Sequence, residues 1–171
     1  MFMKVHIFII ALFHFKNWTR TVDTVRLLKS QMKKYRGANG LQRIARVGSK
    51  YYWDMYGEGW PSAGFIRNVT RECNRINAPS NAHVGMRNVL FGITTKCPLK
   101  CEHCYEWNNL NLKERLSFTD LQGMIEKLVS YGVGQIHFGG GEPMMRYHDI
   151  IELVKQYHDR VGFWIVTSGF Q

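Results

Sequence analysis

"VLFGITTKCPLKCEHCY", residues 89–105, runs from an apolar stretch straight into three cysteines. Its first seven residues are rich in β-formers and read as a short strand. Cys97, Cys101 and Cys104 follow at spacings of x3 and x2. Three thiols are one short of the four donors that close a structural metal site. The stretch therefore asks what takes the fourth position.

The pattern downstream of it alternates strand and helix. "SFTDLQGMIEKLVSYG" (117–132) opens with Ser117 as a candidate N-cap and Asp120 three residues on. Leu121, Met124, Ile125, Leu128 and Val129 fall on one helical face, and Gly132 stands where a helix should stop. "GQIHFGG" (134–140) reads as a second strand, "YHDIIELVKQYHDR" (147–160) as a second helix and "GFWIVTSG" (162–169) as a third strand. Strands alternating with amphipathic helices imply parallel βα units, whose functional groups sit at the C-terminal strand ends. The unusual residues fall at those ends: the cysteines, then "GGGEP" (139–143), then "TSG" (167–169).

Two metals suit three clustered thiols. Zinc takes four ligands and would need His103 or a distant donor, and His103 adjoins Cys104, a poor geometry for joint ligation. A four-iron cluster can take three thiolates and leave one iron open to a non-protein ligand. The fourth cysteine, Cys73, shares a helical stripe with Ile66, Val69 and Ile76 in "SAGFIRNVTRECNRI" (62–76) and reads as core. The glycines of "FGGGEPMMR" lack both the third glycine of a dinucleotide fingerprint and the Gly-Lys-Ser/Thr of a phosphate loop. His137, inside the second strand, reads as a core or cleft histidine.

The paired motifs "CPLKCEHCY" and "GGEP" resemble those of the radical S-adenosylmethionine (SAM) superfamily, over residues 87–171. That family's CxxxCxxC carries an aromatic residue before its last cysteine, and His103 stands there in this chain. The resemblance implies a 4Fe-4S cluster on Cys97, Cys101 and Cys104, with SAM chelating the open iron. It implies that Gly140, Gly141 and Glu142 receive the SAM amino group and that Pro143 fixes the next turn. Ser168 stands where the family often has Asn, which implies proximity to SAM and no more. The implied fold is α/β: the first three βα units of a partial TIM-type (β/α)6 barrel, truncated after the third strand. The implied activity is reductive SAM cleavage and radical hydrogen abstraction. A flavodoxin- or ferredoxin-like electron donor would feed it, on an unknown substrate, small molecule or peptide. No catalytic residue beyond the cofactor site is named. The chain alone is expected to be inactive, as a fragment or a truncated product.

Charge divides the chain. Residues 1–50 hold eleven Lys/Arg against one acid, Asp23, whereas residues 51–171 hold twelve of each. "NWTRTVDTVRLLKSQMKKY" (17–35) places Trp18, Val22, Val25, Leu28, Met32 and Tyr35 on one helical face opposite a basic one. "GANG" (37–40) ends that helix, and the loop 77–86 reads as a boundary, giving a mainly helical basic extension over 1–86 and a second domain over 87–171. The opening "MFMKVHIFIIALFHF" is interrupted by His6 and His14, lacks a cleavage site and is short of the ~20 apolar residues of a membrane span. It reads as a buried or partner-facing segment, with a membrane-surface anchor as the other reading. Clustered cysteines without a secretory signal place the chain in the cytoplasm. Two further classes stay open: a zinc-stabilised binding module, and a basic protein working on nucleic acid or a membrane surface through residues 1–50. Neither nucleic acid nor membrane is a firm partner.

Overall fold

The structure is a computed structural model that describes residues 2–35, 45–52 and 57–169. The chain divides into two compact units, Met1–Val84 and Gly85–Gln171. "GANG" and the stretch 53–56 lie outside the described residues.

In the first unit, helices α1 (Phe2–Phe15), α2 (Trp18–Tyr35) and α3 (Ala63–Asn77) pack on one another, with a short antiparallel hairpin of β1 (Ala45–Val47) and β2 (Lys50–Tyr52). The opening apolar run is thus a helix, with Ile10 and Ala11 buried. The expected stripe of α2 is half-buried at Val22, Val25 and Leu28, but its deepest positions are two threonines. Thr21 and Thr24 are buried, and Trp18 is 64% exposed. The two hydroxyls can enter the interior because each donates to the carbonyl four residues back, Thr21 to Asn17 and Thr24 to Arg20, at 2.7 Å. The side chains of Met32 and Tyr35 lie outside the described residues. On α3 the expected stripe holds at Cys73, which is buried, and half-buries Val69 and Ile76, but at its start Phe65 is buried in place of Ile66, which is 43% exposed. Ser62 caps this helix by accepting the Phe65 amide at 3.0 Å. Cys73 is a core residue, and burial pushes its thiol up to about 11. Among the described residues, no helix is long and apolar enough to cross a membrane.

The second unit is a mixed α/β layer. β3 (Asn88–Thr94), β4 (Gln135–Gly140) and β5 (Gly162–Ile165) form a parallel sheet in that order. Helices α4 (Phe118–Ser130) and α5 (Tyr147–Tyr157) alternate with the strands, as the pattern predicts. Parallel strands need such crossovers, and the helices bury one face of the sheet. Ile136 and Phe138 of β4 pack there with Leu121 and Ile125 of α4 and with Ile150 and Leu153 of α5. Phe138 stacks on Phe163, and Phe91 meets it edge-on. Met124, placed on this stripe by its spacing, is 43% exposed, because Leu121 and Ile125 already fill the contact with the sheet. By strand alternation, Leu90, His137 and Trp164 form one row on the other sheet face. His137 is buried there, and desolvation lowers its pKa, so the neutral imidazole is favoured.

α4 starts as read. Ser117 accepts the Asp120 amide at 3.2 Å while Asp120 accepts the Ser117 amide at 2.8 Å, closing a capping box. Gly132 takes φ +75 just beyond the helix, a conformation that favours glycine.

Candidate metal and cofactor site at the strand ends

All three predicted loops leave the C-terminal edge of one sheet, because all three strands run parallel. The cysteine loop leaves β3, the glycine loop leaves β4, and Thr167–Gly169 follow β5. Their backbones are joined directly. The Gly141 amide donates to Thr94 O and the Glu142 amide to Lys96 O, both at 2.8 Å. Glycine is required at this seam. A Cβ on Gly140 (φ +109) would overlap the Thr94 carbonyl oxygen, and one on Gly141 would overlap that of Lys96. The two glycines thus seat one loop on the root of the other.

The cysteines are free thiols, with Cys101 exposed and Cys97 and Cys104 half-buried. A turn links two of them, the Cys104 amide donating to Cys101 O at 3.2 Å. Among the described residues no group of three or more His, Cys, Asp or Glu side chains is placed to hold a metal ion. Cys97, Cys101 and Cys104 all lie on the loop that follows β3. Three free thiols on one loop fit the donor chemistry of a cluster. His103 is exposed beside them.

Glu142 is 2% exposed, and its carboxylate is fully engaged by protein. One oxygen accepts the Met144 amide (3.0 Å) and the Thr167 hydroxyl; the other accepts the Ser168 amide (3.0 Å) and hydroxyl (2.6 Å). Burial acts to raise its pKa, but the hydrogen bonds from Ser168, Thr167 and Met144 outweigh it and hold the carboxyl below its ordinary value. Glu142 thus ties the β4 loop to the β5 end and caps the 3-10 turn Pro143–Arg146. Pro143 is buried at the start of that turn. The Gly140 carbonyl faces the Tyr105 hydroxyl at 3.4 Å.

Several supporting residues escape sequence reading. Glu114 accepts the Thr95 amide at 2.9 Å. Arg146 lies against Glu114 and Asp149 and donates to Ile93 O and Leu116 O. Burial works to raise the Glu114 pKa, but the Thr95 hydrogen bonds and the Arg146 charge lower it overall. Asn111 pairs with the backbone of Cys97. Glu114 and Arg146 stand 32 residues apart, so no local pattern links them. For Asn111 the only signal is the polar "NNLN" (108–111), whose asparagines tolerate the left-handed backbone it adopts at φ +59.

Three free thiols and a glycine–glutamate loop thus follow neighbouring strands at one edge of a parallel sheet. Residues 91–170 match the family model of the Radical SAM superfamily, and this segment of the chain is similar to that superfamily. Among curated proteins it is similar to the PqqA peptide cyclases. Identity is 39% over 84 residues with that of Bradyrhizobium diazoefficiens, covering 47% of this chain and 22% of the relative. It is 40% over 86 residues with that of Rhodopseudomonas palustris, covering the same shares. It is 39% over 87 residues with that of Gluconobacter oxydans, covering 48% of this chain and 23% of the relative. The chain thus spans little more than a fifth of the length of these relatives. No solved structure matches it.

Proposed function

We propose that the strand-end site binds a 4Fe-4S cluster through Cys97, Cys101 and Cys104 and SAM beside it, in the first three βα units of a partial (β/α)6 barrel. One observation carries the reading: Gly141 and Glu142 pair by backbone with Thr94 and Lys96, the residues that lead into the cysteine loop. A ligand resting on the thiolates would therefore touch the glycine loop as well. When bound, the cluster and SAM supply reductive cleavage of the sulfonium and a carbon radical that takes hydrogen from a substrate.

The chain's own residues bind and orient. The three cysteines supply thiolates, and Gly140 and Gly141 seat the glycine loop against the cysteine loop, where the amino group of SAM would lie. Glu142 lends negative charge nearby while its hydrogen bonds fix Thr167 and Ser168 at the third strand end. An electron donor of flavodoxin or ferredoxin type supplies the electron. A peptide substrate is supported by the relatives named as cyclases of the PqqA peptide.

The test is 5′-deoxyadenosine formation by the full-length protein under dithionite, with and without candidate peptides. Formation that depends on all three cysteines and rises with one peptide supports the reading. A protein carrying a full cluster that cleaves no SAM contradicts it.

A further inference from the structure

The root of the cysteine loop has an unusually complete set of backbone partners. Thr94 O accepts Gly141 N–H, Thr95 N–H goes to Glu114, Lys96 N–H goes to the Thr94 hydroxyl, and Lys96 O accepts Glu142 N–H. The next residue, Cys97, has left the sheet, so no strand serves its peptide groups. The Asn111 side chain serves them instead. Its Oδ1 accepts the Cys97 amide at 3.1 Å and its Nδ2 donates to the Cys97 carbonyl at 3.0 Å. A primary amide presents one acceptor and one donor edge, as a neighbouring strand would. The backbone of Asn111 is anchored as well, its N–H on Thr95 O at 2.8 Å and its carbonyl accepting Lys96 Nζ at 3.2 Å. The two ends of this clamp are 14 residues apart, and Cys101 and Cys104 lie on the loop it closes.

We propose that Asn111 is a positioning residue for the first of the three thiolates, fixing the Cys97 backbone at the root of the loop. The proposal rests on the cluster reading given above. Fixing that backbone reduces the ordering that metal loading would otherwise demand, and groups behind a ligand commonly set how tightly a metal site holds. Asparagine satisfies two demands here, since it tolerates φ +59 and carries the amide. Glycine satisfies the first only, and aspartate can accept from Cys97 N–H but cannot donate to its carbonyl.

The experiment compares the full-length protein with its Asn111→Gly and Asn111→Asp variants by two readouts. The first is alkylation of each thiol in the folded, cluster-free protein, resolved by mass spectrometry. Asn111→Gly should speed alkylation of Cys97 by about fivefold or more, with Cys101 and Cys104 changed less than about twofold. The second is release of iron from the anaerobically reconstituted protein to a chelator, which should be about 10- to 100-fold faster in Asn111→Gly. Asn111→Asp should fall between the two in both. Unchanged Cys97 alkylation in Asn111→Gly overturns the proposal, as does equal acceleration at all three thiols, which would mean general loosening. Unchanged iron release overturns the link to metal holding. Failure of the parent protein to take up a cluster would refute the proposed function, while the alkylation readout would still decide whether the clamp positions Cys97.

Discussion

Glu142 carries more hydrogen bonds at the strand ends than any sequence signal announces. Its place after two glycines suggests a group aimed at a ligand, yet its oxygens are occupied by Thr167, Ser168 and Met144. Partners 25 and 26 residues away are not legible in a motif. Glu142→Gln would turn an amide N–H toward donors that now meet a carboxylate oxygen. A hydrogen bond to a charged group contributes about 1.5–3 kcal/mol, so the variant should free the β5 end and weaken SAM binding by about tenfold or more. Amide exchange at Ser168 and calorimetry with SAM would measure the two effects, and wild-type behaviour in both would refute the role. The carboxyl's pKa is lowered on folding, so its contribution is complete above the ordinary carboxylate range and is lost as the pH falls through the folded value. Exchange at Ser168 should therefore accelerate on acidification below about pH 4 beyond the intrinsic pH dependence, and this excess should vanish in Glu142→Gln. Gly141→Ala places a methyl against the Lys96 carbonyl, and destabilisation of about 1–3 kcal/mol should follow in urea unfolding.

Among the secondary elements, those of the second unit were the most legible. Ser117 and Asp120 announce the start of α4, Gly132 its end, and Leu121 and Ile125 the buried face. Met124 shows the limit of spacing, since periodicity names an arc and packing selects part of it. Leu121→Ala should accordingly cost about 2–5 kcal/mol and Met124→Ala under about 1 kcal/mol in denaturant unfolding. Ser117→Ala, which opens the capping box, should cost about 1 kcal/mol. Equal costs for Leu121 and Met124 would contradict the assigned face. The helices of the first unit are less legible in the sequence. Buried threonines on α2 look polar in a hydropathy pattern, and their bonds to the preceding turn appear only once the helix exists. Thr24 also accepts from Asn77 of α3 at 2.9 Å, a tertiary pairing that α2's own sequence does not contain.

For the molecule as a whole, one parallel sheet makes a site from loops that are distant in sequence. The order β3-β4-β5 puts the cysteine loop beside the glycine loop, and Glu142 carries the connection on to Thr167 and Ser168. That convergence was legible, because alternating strands and helices fix which strand ends share an edge. The clamp by Asn111 and the links through Glu114 and Arg146 were not, because they depend on the path of residues 105–116 across that edge. In the proposed function Cys97, Cys101 and Cys104, and not Cys73, hold a four-iron cluster. Iron and acid-labile sulfide should therefore be counted after anaerobic reconstitution of the full-length protein and of its Cys101→Ala and Cys73→Ala variants. About four of each are expected in the parent and in Cys73→Ala, with loss of both in Cys101→Ala. Equimolar zinc without sulfide in the parent, or a cluster retained in Cys101→Ala, would contradict the proposed function.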